Sequence, residues 1–261
     1  MILEELEKTR KPGLAALRTK VRALERGGRP LRVLPLGPAA LDDHLPGGGL
    51  ALGALHEIEG ARAEWDDGLV AAFCLALVAP LAAALDGPVL WIARQADLYG
   101  PGLAARGLDP ARILFVRAGG DREVLWAMEE GLRCRRLAAV VGEAGELERS
   151  AGRRLQLAAE AGGVTAFLLR RRLIAPHRAE PPSAARSRWR VAPAPSGAAP
   201  LPELPGRPRW RVELLRCRGA APGEFLVERD DATGGFALAA ALRDGALAAR
   251  PAARGASRLA G

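Results

Sequence analysis

The stretch ALHEIEGARAEWDDGLVAAFCLALVAPLAAALDGPVLWIA, Ala54–Ala93, decides the fold. It opens with the short apolar run Ala54–Glu59, passes through a glycine loop into the long run Leu69–Leu85, and returns to a short run, Val89–Ala93. Short apolar runs bounded by turn residues fit buried strands, and a run this long fits a helix. Strand, helix and strand in that order predict a βαβ unit with parallel strands. Leu69–Leu85 is interrupted only by Pro80 and is bounded by Asp67 and Asp86. Its 17 residues fall short of the roughly 20 that cross a bilayer, so it reads as a buried helix and not a membrane span.

The alternation continues outward. Helical stretches at Leu98–Arg106, Glu123–Arg133 and Ser150–Ala161 separate strand runs at Ile113–Val116, Leu137–Val141 and Val164–Leu169. Each strand is apolar almost throughout, as in a sheet covered on both faces. The predicted class is α/β: a mostly parallel sheet flanked by helices. Ligands of such sheets sit at the C-terminal ends of the strands. Here those loops are Gly60–Gly68, Arg94–Gly102, Ala118–Asp121, Gly142–Leu147 and Arg170–Ala175.

Five segments follow from composition. Residues 1–30 form a helical arm whose Leu14, Leu17, Val21 and Leu24 share one stripe, suited either to the chain's own core or to a partner or second protomer. Residues 31–174 form the core. Residues 175–208 are rich in proline and expected to be mobile, with one strand-like piece at Arg188–Val191. Residues 209–242 form an antiparallel β extension of the core, opening with the alternating Arg209–Cys217. Residues 243–261, rich in alanine and arginine, form a flexible tail.

Lys+Arg exceed Asp+Glu to give a net charge of +8, and all the basic residues but Lys8, Lys11 and Lys20 are arginine. Arginine suits phosphate contacts and buried ion pairs, although a GC-rich genome yields the same bias. Cys74, Cys134 and Cys217 are odd in number and far apart, which fits neither a disulfide framework nor a zinc site and points to the cytoplasm. His44, His56 and His177 are scattered with no serine or cysteine partner nearby in sequence, so no nucleophilic triad is expected. The single tyrosine argues against an aromatic base-stacking surface.

The loop after the first core strand is where a phosphate-binding GxxxxGK[ST] motif would stand. Only Gly60 of that pattern is present: Trp65 replaces the second glycine, and Asp66 and Asp67 replace the lysine and the hydroxyl. Two carboxylates facing a polyphosphate cost on the order of 4 kcal/mol per close like-charge pair. Asp66 and Asp67 read as the start of the following helix, where acids favour the positive dipole end, with a metal or cationic ligand as the alternative.

The run LPLGPAALDDHLPGGGLALGALHEIEG (Leu34–Gly60) resembles the lead-in to the ATPase core of RecA, and the likeness continues through LDPARIL (Leu108–Leu114). The degenerate loop and the blocks SRWRVAPAPS (Ser187–Ser196) and RPRWRVELLRCRG (Arg207–Gly219) narrow the resemblance to the ImuA family of RecA-related, SulA-like proteins of SOS mutagenesis. It spans about Leu31 to Leu238.

The resemblance implies a RecA-like fold with altered ATPase positions. The glutamate that activates water falls at Gln95, the magnesium-supporting aspartate at Gly142 beside Glu143, and the nucleotide-sensing glutamine at Arg170. No cofactor or metal is expected, and no ATPase activity. The family's setting implies an accessory role in translesion synthesis with an ImuB-type, Y-family-like protein and, through it, an error-prone replicative-type polymerase. A SulA-like inhibitor of cell division that binds FtsZ is the rival reading. In RecA the loop after the fifth core strand touches DNA, which makes Arg170, Arg171 and Arg172, with Arg186 and Arg188, candidate phosphate contacts. A solvated basic edge is the alternative.

Overall fold

The computed structural model describes residues 31–62, 65–145, 147–171, 183–197, 206–229 and 236–240. The arm with Leu14, Leu17, Val21 and Leu24, the tail, and Arg172 lie outside the described residues.

A two-stranded antiparallel lead-in pairs β1 (Val33–Leu34) with β2 (Leu50–Ala51), and helix α1 (Ala39–His44) lies between them in the chain. The core strands are β3 (Leu55–Gly60), β4 (Val89–Ala93), β5 (Ile113–Arg117), β6 (Ala139–Ala144) and β7 (Thr165–Arg170). The helices between them are α2 (Asp67–Leu85), α3 (Gly100–Ala104), α4 (Asp121–Leu132) and α5 (Arg149–Gly162). Then come β8 (Ser187–Ala194), β9 (Arg209–Cys217), β10 (Gly223–Arg229) and β11 (Phe236–Ala240). The nine strands form one sheet in the order β11-β10-β9-β8-β3-β7-β6-β4-β5. Pairing is parallel from β8 to β5, and antiparallel from β8 through β11. The expected α/β class and RecA-like architecture are therefore what the chain forms.

Strand alternation divides the core in two. Ile58, Trp91, Val141, Phe167, Trp189 and Val212 face α2, together with Val70, Phe73, Cys74 and Leu77 of that helix. Leu55, Ile92, Val140, Ala166 and Leu168 face α4 and α5, together with Val124, Met128 and Leu155. Helix α2 is long and apolar enough to cross a membrane by length and composition, but it spends that surface on the sheet.

Three expectations need correction. The segment 175–208, expected to be proline-rich and mobile, contains β8, which lies in the sheet interior between β3 and β9 with Trp189 and Val191 buried. The four-residue signal RWRV understates it because only one of its faces is apolar. Secondly, β5 is not covered on both faces: it is the sheet edge, and Leu114 is 49% and Val116 37% exposed. Thirdly, the helix expected over Leu98–Arg106 is only the single turn of α3, because Gly100, Pro101 and Gly102 propagate a helix poorly.

Candidate functional site

At the C-terminal end of β3 the loop folds back on one of its own side chains. The Arg62 amide donates to Asp66 Oδ2 at 2.8 Å, and the Arg62 guanidinium donates to Oδ1 at 2.8 Å through Nη2. The Ala61 amide is taken by the Val191 carbonyl of β8 at 2.9 Å. Gly60 is needed because a Cβ there would lie 2.7 Å from Asp66 Cβ. The buried Asp66 carboxylate thus occupies the amide that such a loop offers to a phosphate. Asp67 opens α2 as expected, and Trp65 projects outward, 83% exposed.

A second cluster closes the same end. Arg171, just after β7, places Nε 2.8 Å from Glu143 Oε2 and 3.8 Å from Asp67 Oδ2, while Nη2 lies 3.2 Å from Asp97 Oδ2. One guanidinium thereby ties together the start of α2, the loop after β4 and the ends of β6 and β7. Trp91 Nε1 donates to the other Glu143 oxygen at 2.8 Å. Burial pushes the Glu143 carboxyl above its ordinary range; Arg171 and the Trp91 N–H pull it back, while nearby Asp97 and Asp67 add to the rise.

The positions carried over from RecA fare unequally. Gln95 is exposed on the loop after β4. Gly142 points away from the site, toward α4, where a Cβ would sit 2.2 Å from Met128 Sδ; it is glycine for packing, and the inward acid is its neighbour Glu143. Arg170 also points away: it is buried with Nη1 3.6 Å from Glu57 Oε2. These residues do not fit a magnesium nucleotide, because a carboxylate holds the phosphate-facing amide and a guanidinium stands among the acids. Among the described residues no group of His, Cys, Asp or Glu is arranged to hold a metal ion.

The expected DNA-facing arginines do not form one surface. Arg188 is buried, with Nη2 2.8 Å from Glu59 Oε2, and Arg190 bonds the other Glu59 oxygen at 2.8 Å. Burial raises the Glu59 pKa, but Arg188 and Arg190 together hold it below the ordinary value. Arg170 and Arg188 are thus internal counter-ions on the α5 side of the sheet, not a solvated basic edge. Arg186 is half-buried near His56, and Arg171 belongs to the carboxylate cluster described above.

His56 has a serine partner, but one that lies 131 residues away in sequence. Its Nε2 lies 2.8 Å from the Ala51 carbonyl, which only accepts, so Nε2 carries the proton and Nδ1 accepts from the Ser187 hydroxyl at 2.6 Å. Trp189 Nε1 donates to the same hydroxyl at 2.7 Å. The group is buried and pins β2, β3 and β8 together; burial drives the His56 pKa down to about 4. With no exposed nucleophile, this is a structural clasp.

No family model matches the chain. Two curated relatives do, each called Protein ImuA, from Caulobacter vibrioides strains NA1000 / CB15N and ATCC 19089 / CIP 103742 / CB 15. Each is 43% identical over 241 residues, covering 88% of this chain and 99% of the relative. The chain belongs to the ImuA family. Its role in SOS mutagenesis, implied by the motifs, thus rests on likeness along nearly the whole of both chains. In this ImuA-family chain Arg171, expected to meet DNA phosphates, is instead paired with Asp67, Asp97 and Glu143, and that pairing is what sequence did not disclose. Its three carboxylate partners come from the start of α2, the loop after β4 and the end of β6, and only the topology brings them together.

Proposed function

We propose that this protein is a non-catalytic, RecA-like accessory factor of SOS-induced error-prone translesion synthesis in the cytoplasm. It assembles with an ImuB-type, Y-family-like protein and through it with an error-prone replicative-type polymerase. The observation that carries the non-catalytic reading is the self-filled loop: Asp66 occupies the Arg62 amide, and Arg171 stands among Asp67, Asp97 and Glu143. A fold kept while its reactive positions are filled from within serves as a scaffold.

Purified protein is expected to hydrolyse no ATP above background, and millimolar Mg-ATP is expected to leave its Tm unchanged, whereas a ligand at 100 times its Kd adds ~2.7 kcal/mol. Saturable turnover abolished by Glu143→Gln overturns the non-catalytic reading. Affinity capture from cells with damaged DNA tests the partners: an ImuB-type protein and polymerase are expected, and FtsZ in their place favours the cell-division reading.

A further inference from the structure

The two largest exposed aromatic side chains at the C-terminal end of the sheet are Trp65, 83% exposed, and Tyr99, 72% exposed. They are brought to one rim by the Arg171 cluster, since Asp67 lies two residues after Trp65, Asp97 lies two before Tyr99, and both carboxylates meet the same guanidinium. Beside them the parallel register sets Arg117, at the end of β5, opposite Ala93, which places Arg94 and Arg117 at neighbouring strand ends. Arg122 follows in the first turn of α4.

The acids at this rim are already engaged. Asp66 is held by Arg62, and Asp67, Asp97 and Glu143 by Arg171. Glu123 and Asp121 accept from the Gly119 and Gly145 amides, at 2.7 Å and 2.9 Å. By contrast Arg94, Arg117 and Arg122 are exposed and have no carboxylate partner among the described residues.

The geometry points to this rim as a binding site for a single-stranded polynucleotide, with bases stacked on Trp65 and Tyr99 and phosphates met by Arg94, Arg117 and Arg122. Aromatic platforms interleaved with cations are what unpaired strands require, and every base presents a π-face to them. The carboxylate clamp supplies pre-organisation, because Trp65 and Tyr99 each stand two residues from a carboxylate that Arg171 already holds. One tyrosine is enough when it and a tryptophan share an edge, so the low aromatic content of the chain is no obstacle. The site is separate from Arg170 and Arg188, which are buried, and it goes beyond the scaffold role, which holds whether or not the chain touches nucleic acid.

The test uses full-length protein and a fluorescein-labelled oligothymidine of about 15 nucleotides, near the upper site size of a single binding fold. Wild type is expected to bind with quenching of tryptophan fluorescence and with a salt-dependent affinity. Trp65→Ala is expected to remove most of the quenching, and Trp65→Ala with Tyr99→Ala to weaken binding by at least ~10-fold, since each stacked base contributes ~5- to 150-fold. Arg94→Gln and Arg117→Gln are each expected to lower the salt slope by about one phosphate contact. Trp126→Phe, an exposed tryptophan on α4, serves as the control and should change neither quantity.

All of these side chains are exposed, so circular dichroism and Tm should match wild type. Absence of oligothymidine binding at low salt overturns the inference, as does a double variant within ~2-fold of wild type. If the double variant binds the oligonucleotide normally but no longer associates with a purified ImuB-type partner, the rim is a protein contact and the polynucleotide assignment is wrong.

Discussion

Arg170 and Arg171 are neighbours in sequence, yet they serve opposite faces of the molecule. Arg170 ends β7 and turns toward α5, where it joins Arg188 against the buried Glu57 and Glu59. Arg171 turns to the other face and collects three carboxylates at the strand ends, with its side chain 28% exposed. The first cluster has exchanged water for protein on all sides; the second keeps one side in solvent. Their opposite orientations separate them, so that Arg170 and Arg171, which read in sequence as parts of a single basic patch, become two unrelated devices.

If burial is what distinguishes the two clusters, removing one arginine from each should give unequal losses. Arg188→Ala leaves Glu57 and Glu59 short of a counter-ion inside the sheet and is expected to cost about 3–5 kcal/mol in urea denaturation. Equal losses for Arg188→Ala and Arg171→Ala would break the comparison.

Acid pH sharpens the same contrast, because it acts on the buried clasp rather than on an ion pair. His56 is held neutral with a folded pKa of about 4, below its ordinary 6.5. The unfolded chain therefore binds the proton first: the contribution is complete above pH 6.5 and is lost as pH falls toward 4, by about 3 kcal/mol. A stability profile flat between those values, or one unchanged by His56→Gln, would remove the clasp from the account.

A glycine on the wall between the two faces gives the next effect. Gly142→Ala drives a methyl group into Met128 and Val124, and it is expected to cost about 1–3 kcal/mol by overpacking. Gly142→Asp should lower Tm further without creating ATP hydrolysis, since the added carboxylate points at α4. Smallest of all, Arg171→Ala should cost about 1 kcal/mol at moderate salt, because the guanidinium, Asp67 and Asp97 are partly solvated and the buried Glu143 keeps the Trp91 N–H as a partner. Its loss should shrink further as salt rises, while that of Arg188→Ala should not.

Much of the fold was legible because parallel sheets write themselves as apolar runs: β4 was read to the residue, and β3, β7 and α5 within one position at either end. The degenerate loop was legible too, since Trp65, Asp66 and Asp67 stand in a fixed spacing from Gly60. What stayed hidden depends on which way a side chain points or on distant partners. A shift of one residue separates Gly142 from Glu143 and Arg170 from Arg171, and run boundaries are not that sharp. His56 and Ser187 lie 131 residues apart, so only the β3–β8 pairing reveals the clasp. The interior place of β8 was obscured because Arg188 and Arg190 read as surface, although both pair with Glu59 within the sheet, with Glu57 and Glu213 as further counter-ions.

The position of β3 also sets a timetable. Among the described residues it is the first strand longer than two residues along the chain, yet both of its neighbours come late: Leu55 pairs with Ala166, and His56 with Ser187. At ~5–20 residues per second, the chain grows for on the order of 5–20 s before the first of those partners exists. Through that interval Leu55 and Ile58 have no sheet to join, and Glu57 and Glu59 have no arginines. The strand that carries the loop is made long before the strands that secure it, and its long-range pairings make folding slow by topology alone.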